Sequence, residues 1–179
     1  EKQIDHMTGL YNRFEFEGSI KKYLMDGSQI TRIGIMILDM DAFKNVNDLY
    51  DRMFGDEILR ITAGNISAML PDNARLYRLD GDEFGIILTN GTEEDAQEIF
   101  SKIQNKYTRQ QEYSGKKYYC TISGGYAVCP ENADNYLDLL KCANYALERS
   151  KVRGKNRMTI YSPEIPLEKE KKLEMVQML

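Results

Sequence analysis

Tryptophan is missing from these 179 residues, and histidine occurs once, as His6. A single histidine leaves no serine–histidine triad to assemble. The three cysteines, Cys120, Cys129 and Cys142, are an odd number with no CxxC pair. They supply no zinc site and read as small apolar residues of a reduced protein. No apolar run approaches the roughly 20 residues of a membrane span, and no signal peptide is visible. The segment is therefore expected to make no membrane contact and to lie in the cytoplasm, as the cytoplasmic part of a larger protein. Net charge is −4. That argues against a general nucleic-acid or anionic-membrane binder, although a local basic patch could still hold phosphates. Neither GxGxxG nor GxxxxGK[ST] occurs, so any nucleotide must be held without those loops.

Hydrophobic residues make up 42% of the chain, enough for a sizeable core. Residues 11–25 carry apolar side chains at helical spacing and stop at Asp26-Gly27. Ile33–Leu38 is an unbroken apolar run, a buried strand that ends at Asp39-Met40-Asp41. Residues 54–70 return to helical spacing. Arg75–Leu79 and Phe84–Leu88 read as two short strands joined through Asp80-Gly81. Residues 93–109 look helical. Tyr118–Val128 is β-rich but interrupted by Gly124-Gly125, which predicts a bulge or a close backbone approach. Residues 134–152 form another helix and Met158–Tyr161 a last short strand. After Pro163 and Pro166, the Glu/Lys-rich Leu167–Leu179 reads as a helix leaving the domain. The irregular alternation, with one hairpin in the middle, predicts an α/β (α+β) fold. Its centre is a mixed, mainly antiparallel sheet of about five strands flanked by helices.

Two acidic clusters stand out. Asp39 and Asp41 follow the buried strand directly, and period two would put both on one face if the strand continued. The hairpin Asp80-Gly81-Asp82-Glu83-Phe84 supplies the second cluster. Either alone is an ordinary polar strand end. Together, each beside an apolar strand, they repel unless a cation sits between them. This is how palm-type nucleotidyl transferases hold magnesium, which takes one or two carboxylates and leaves its other positions to water and phosphates.

Six motifs in order then resemble the GGDEF family of diguanylate cyclases. Asp5-His6-Met7-Thr8-Gly9-Leu10-Tyr11-Asn12-Arg13 is similar to DxLTGLxNR, with Met7 for Leu. The run from Asp39 to Asp48 is similar to DxDxFKxxND, and Gly55 to Leu59 to GDxxL. Arg78 to Phe84 resembles the signature itself, Ser123 to Ala127 SxGxA, and Ala146 to Asn156 ALYxAKxxGRN. The resemblance runs from Asp5 to Tyr161. It implies a nucleotidyl cyclase, palm-like fold and a GGDEF domain over residues 1–162. Residues 163–179 would be a helical connector toward a following EAL phosphodiesterase domain.

It also implies the site. Asp39, the Met40 carbonyl, Asp82 and Glu83 would hold Mg²⁺ or Mn²⁺, with Asp39, Asp82 and Glu83 as the catalytic set. Glu83 is assigned either a second metal or a part in deprotonating the attacking 3′-hydroxyl. Asn47 and Asp56 would read guanine, since a carboxylate accepts from N1–H and the 2-amino group and an Asn both donates and accepts. Phe43, Lys44, Gly81, Lys151 and Lys155 would hold the rest of GTP. Two domains would meet with two-fold symmetry to condense two GTP into cyclic di-GMP, under control of an N-terminal sensor domain.

Three departures bear on activity. Asp80 replaces the first signature glycine, Asp51-Arg52 replaces the usual Gly-His, and Lys155 replaces an Arg with its planar fork. The window for the family's inhibitory RxxD is Pro71-Asp72-Asn73-Ala74, which lacks both the Arg and the Asp. Two functions follow: an active cyclase, or a weak or inactive GTP-binding domain that regulates an attached EAL domain. Asp80, expected in the turn beside the phosphates, is the main reason for the second.

Overall fold

The computed structural model describes residues 2–25 and 29–164. The turn expected at Asp26-Gly27 and the helix expected over Leu167–Leu179 lie outside the described residues. Five strands form one sheet in the order β2-β3-β1-β6-β7, comprising β1 (Ile33–Met40), β2 (Ala74–Asp80), β3 (Glu83–Thr89), β6 (Ile122–Cys129) and β7 (Met158–Ile160). All neighbours are antiparallel except β6 and β7. The fold is the α+β arrangement expected from the sequence. Among the described residues, no helix is long and apolar enough to cross a membrane.

The unbroken apolar run of β1 is explained by its central position, with both faces covered. Met36, Leu38 and Met40 join the core that α3 (Arg52–Met69) and α4 (Glu93–Tyr107) pack onto the sheet. Ile33, Ile35 and Ile37 join the opposite core, under α1 (Arg13–Met25) and α5 (Tyr136–Val152). The period of two thus divides one strand between two cores.

Gly124-Gly125 does not produce a bulge. β1 and β6 pair without a register shift from Ile33–Cys129 to Met40–Ile122. The second alternative holds instead. A Cβ on Gly125 would lie 2.2 Å from the Ala143 carbonyl and 2.2 Å from the Leu147 nitrogen. Helix α5 therefore rests on bare strand backbone, and its last turn is brought to the end of the sheet where Asp39 stands.

Four differences from the sequence reading bear on the site and its surroundings. β1 continues through Asp39 and Met40, because both still pair with β6. Asp80 is the last residue of β2, opposite Glu83, so the turn is Gly81-Asp82 rather than Asp80-Gly81. A short helix α2 (Phe43–Leu49) follows β1, which periodicity over seven residues could not reveal. Tyr118 belongs to a separate small hairpin of β4 (Gln111–Tyr113) and β5 (Lys116–Tyr118).

Candidate functional site

The site begins at the carboxyl end of β1. Asp39 pairs with Glu83 of β3 on one side and Ser123 of β6 on the other. The Met40 N–H donates to the Asp82 carbonyl at 3.2 Å, which ties the β2–β3 turn to the strand end. Asp82 is consequently within hydrogen-bonding reach of Asp39. Burial, and then the Asp39 charge, push the Asp82 carboxyl above its ordinary value. Burial does the same to Glu83, against the opposing charge of Arg13, whose guanidinium lies 3.2 Å away. Lys151, in the last turn of α5, forms an ion pair with Asp39. Burial lowers its pKa, but the hydrogen bond to Asp39 and the charges of Asp39, Glu148 and Glu83 carry it above the ordinary lysine value.

Asp41 does not share this role. It lies beyond the end of β1 and is buried. Its carboxylate accepts from Thr121 Oγ1 at 2.8 Å, Ser123 Oγ at 2.7 Å and the Asn156 N–H at 3.1 Å. Three donors, from Thr121 just before β6, Ser123 within it and the α5–β7 loop, consume it, so it is an anchor for the strand ends.

A cleft of about 480 Å³ opens beside this cluster. Of the residues predicted from the sequence, Phe43, Lys44, Asn47, Asp56, Gly81 and Asp82 line it. Asp39 reaches it through Asp82, and Lys151 through Asp39. Lys155 stands exposed on the α5–β7 loop and is not among the lining residues. Asp80 is also exposed and outside the lining. Gly81, not Asp80, takes the positive φ, at +39°.

Local sequence shapes the cleft. Ala42 takes a left-handed conformation (φ 57°), which turns the chain from β1 into α2 with no side-chain cap on the helix. Phe43 and Lys44 thus sit at an uncapped helix start, where N–H groups point outward. Asp51, the residue in place of the usual glycine, caps α3 by accepting from the Phe54 N–H at 2.7 Å. Gly55 allows the two helices to meet, since a Cβ there would lie 1.6 Å from Asn47 Oδ1. That oxygen is buried and has no hydrogen-bond partner. Buried polar atoms are seldom left so.

Sequence reasoning missed four lining residues, Met7, Arg52, Leu59 and Arg78. Arg78 could have been found. It is inside the quoted signature, and it joins the first motif to the turn by bonding Asp5 Oδ2 at 3.0 Å and the Gly81 carbonyl at 2.8 Å.

Among the described residues, no three His, Cys, Asp or Glu side chains are gathered as a metal-holding group. The donors that are present suit a hard cation all the same. Two carboxylates in mutual contact, one with a raised pKa and the other paired to a lysine, form a place where positive charge is required. Two carboxylates are also what Mg²⁺ takes from a protein when phosphates complete its shell.

Comparisons with known proteins agree with this geometry. Residues 2–157 match the family described as "Diguanylate cyclase, GGDEF domain". The cyclic di-GMP phosphodiesterase NbdA of Pseudomonas aeruginosa is 28% identical over 99% of this chain, which spans 23% of NbdA. The diguanylate cyclase VdcA of Vibrio cholerae is 29% identical over 87% of this chain, which spans 46% of VdcA. This chain thus spans less than half the length of either. Among solved structures, the GGDEF domain of TpbB (YfiN) from Pseudomonas aeruginosa superposes with a TM-score of 0.83 at 27% identity, covering 96% of this chain and 99% of that one.

Proposed function

The chain belongs to the GGDEF family of diguanylate cyclase domains, and on that premise we propose that it binds Mg-GTP and, paired with a second copy, condenses two GTP into cyclic di-GMP. The observation that carries this reading is the continuity of the cleft. It is lined by Asn47 and Asp56 at one end and by Lys44, Gly81 and Asp82 at the other. A base reader and a phosphate and metal holder share one cavity, of a size that suits a nucleotide.

The residues divide the work. Asp56 accepts from guanine N1–H and the 2-amino group, and the unpaired Asn47 Oδ1 gains a donor from the same base. Adenine lacks this donor pair and would leave buried acceptors unsatisfied. The uncapped start of α2 offers the Phe43 and Lys44 N–H groups to phosphate oxygens. Lys151 neutralises charge beside Asp39 and would turn to the phosphates once they arrive. Asp39, Asp82 and the Met40 carbonyl would hold Mg²⁺, which supplies charge neutralisation and polarisation of the α-phosphate when bound. Glu83, opposite Asp39 in the β1–β3 pair and with its carboxyl raised by burial, would take either a second metal or the proton of the attacking 3′-hydroxyl. Each 3′-oxygen bonds to the α-phosphorus of the other GTP, and pyrophosphate leaves from each. One cleft holds one GTP, so two domains must face each other about a two-fold axis.

The regulatory alternative rested on Asp80 and Lys155. Asp80 is outside the cleft lining and needs no left-handed backbone. The cyclase reading is therefore preferred. The division at residues 162 and 163, a following EAL domain and a preceding sensor belong to the same proposal, for a cytoplasmic segment of a larger bacterial signalling protein. The test is to hold two copies together through a fused dimeric coiled coil, add Mg²⁺ and GTP, and separate the products. Formation of pppGpG and cyclic di-GMP is expected. If neither forms and calorimetry finds no Mg²⁺-dependent GTP binding, the reading fails.

A further inference from the structure

Arg52 is one of the departures from the family pattern, and it lies on the cleft. It is exposed, and its guanidinium makes no ion pair or hydrogen bond among the described residues. The acids near it in sequence do not hold it. Asp51 is occupied in capping α3, which fixes Arg52 as the first residue of that helix. Asp56 stands four residues on, so both side chains share one face of α3, and both line the cleft.

The order of elements shows which part of a nucleotide Arg52 meets. Helix α2 starts at Phe43 and Lys44, beside Gly81 and Asp82, and reaches Asn47 one turn later. The chain then passes through Tyr50 and Asp51 into α3, which begins at Arg52 and reaches Asp56 one turn later. Arg52 is thus on the Asn47–Asp56 side of the cleft, away from the α2 start that faces the phosphates. If Asp56 accepts from the N1–H and 2-amino groups, the guanine edge still unread is O6 and N7. Both are acceptors, and a planar guanidinium matches them with two parallel N–H bonds. Adenine presents an amino group in place of O6, so one arm of the fork would meet a donor.

We propose that Arg52 is a guanine-specificity residue of this domain, its guanidinium reading the O6/N7 edge of the base whose N1–H and 2-amino groups Asp56 accepts. The proposal rests on the guanine-binding reading of the cleft, and the experiment separates the two. Calorimetry with Mg²⁺ compares GDP, 7-deaza-GDP, which lacks the N7 acceptor, and ADP. The proteins are the parent chain and its Arg52→Ala, Arg52→Lys and Asp56→Ala variants.

The parent should bind 7-deaza-GDP about tenfold more weakly than GDP, the loss of one bond of a bidentate pair. Arg52→Ala should bind GDP and 7-deaza-GDP equally, and Arg52→Lys should recover only part of the difference. The thermal midpoint of Arg52→Ala should match the parent, because the side chain is exposed and unpartnered. If the parent prefers GDP to ADP through Asp56 but treats GDP and 7-deaza-GDP alike, the Arg52 proposal falls and the guanine reading stands. An Arg52→Ala loss that is equal for all three nucleotides would mean contact with phosphate, and would also overturn it. A parent with no preference between GDP and ADP would end both.

Discussion

At the strand-end side of the cleft, Asp39, Asp82, Glu83 and Lys151 crowd together, with two of the three acids pushed up in pKa by burial. At the helix side, Asn47 and Asp56 stand in a space that Gly55 keeps open, with one buried acceptor unpaired. The first side is short of positive charge and long on repulsion. The second is short of a single hydrogen-bond donor. In the proposed function, an incoming nucleotide with its cation would answer both deficits at once: the cation would relieve the acids, and the base would supply the donor. The strand end should therefore be sensitive to charge and pH, and the helix side to shape.

The largest effect should come from Asp82. Asp82→Asn in the paired domain should lower pyrophosphate release on the order of 100-fold or more, as expected when a ligand of a catalytic cation is lost. Stability should move the other way. The folded pKa of Asp82 is raised above its ordinary value of 3.8. Its contribution to stability is therefore complete below that value and is lost as pH rises through the folded pKa. In chelator at pH 7, Asp82→Asn should raise the thermal midpoint above the parent, and the difference should shrink on acidification. A midpoint lower than the parent at pH 7 would contradict the charge-crowded account of this side.

Next in size is the contrast between the two acids of Asp39-Met40-Asp41. Asp41→Ala strands the buried Ser123 and Thr121 hydroxyls, while the Asn156 N–H keeps Ser123 Oγ as an acceptor, at a cost of about 2–4 kcal/mol. Heat denaturation should show a fall of roughly 5–10 °C. Asp39→Asn breaks a partly buried ion pair but also removes the repulsion on Asp82, so it should change stability by less than about 1 kcal/mol, while losing turnover as Asp82→Asn does. Equal stability losses would show that both acids are structural.

How far the sequence foretold this site follows from which signal each residue carries. The strands were legible because β1 is central and buried on both faces, and because Gly81 marks the hairpin. The charged end was legible because two acidic clusters, each beside an apolar strand, repel one another unless a cation joins them. Asp41 was harder. Spacing treats it as the twin of Asp39, and only the pairing of β1 with β6 reveals that Thr121 and Ser123 claim it. Helix α2 was missed, since seven residues give periodicity too little length. Asp51 looked like a defect in a motif, but a residue with extended backbone and a short carboxylate is a normal helix cap. Arg52 and Met7 enter the cleft through tertiary packing, which no local pattern reports.

On the helix side, Gly55→Ala tests shape. The added methyl would sit 1.6 Å from Asn47 Oδ1, so the Asn47 side chain must move. Guanine affinity should fall about tenfold, and the preference for GTP over ATP should shrink with it, since overpacking costs about 1–3 kcal/mol. The strand-end side should be unaffected, so the Asp82→Asn rise in metal-free thermal midpoint should persist in the double variant. Unchanged nucleotide preference in Gly55→Ala would detach Asn47 from base reading.

The smallest effect belongs to Asp80, the residue whose position in the signature looks most damaging. Its backbone has no positive φ, although the β2–β3 register shifts between Arg78 and Asp80; its side chain is exposed, and the left-handed turn position is held by Gly81. What Asp80 retains is its charge. In a solvent-exposed setting about 8 Å from a phosphate, that charge is worth on the order of 0.5 kcal/mol before salt screening. Asp80→Gly should therefore speed pyrophosphate release by about twofold at low ionic strength, with the gain disappearing in high salt. Adding Lys155→Arg should change little, because Lys155 is exposed and outside the cleft lining. A tenfold or larger gain from Asp80→Gly that survives salt would mean that the turn moves against the nucleotide during turnover. Asp80 would then belong with the charge-crowded side of the cleft rather than outside it.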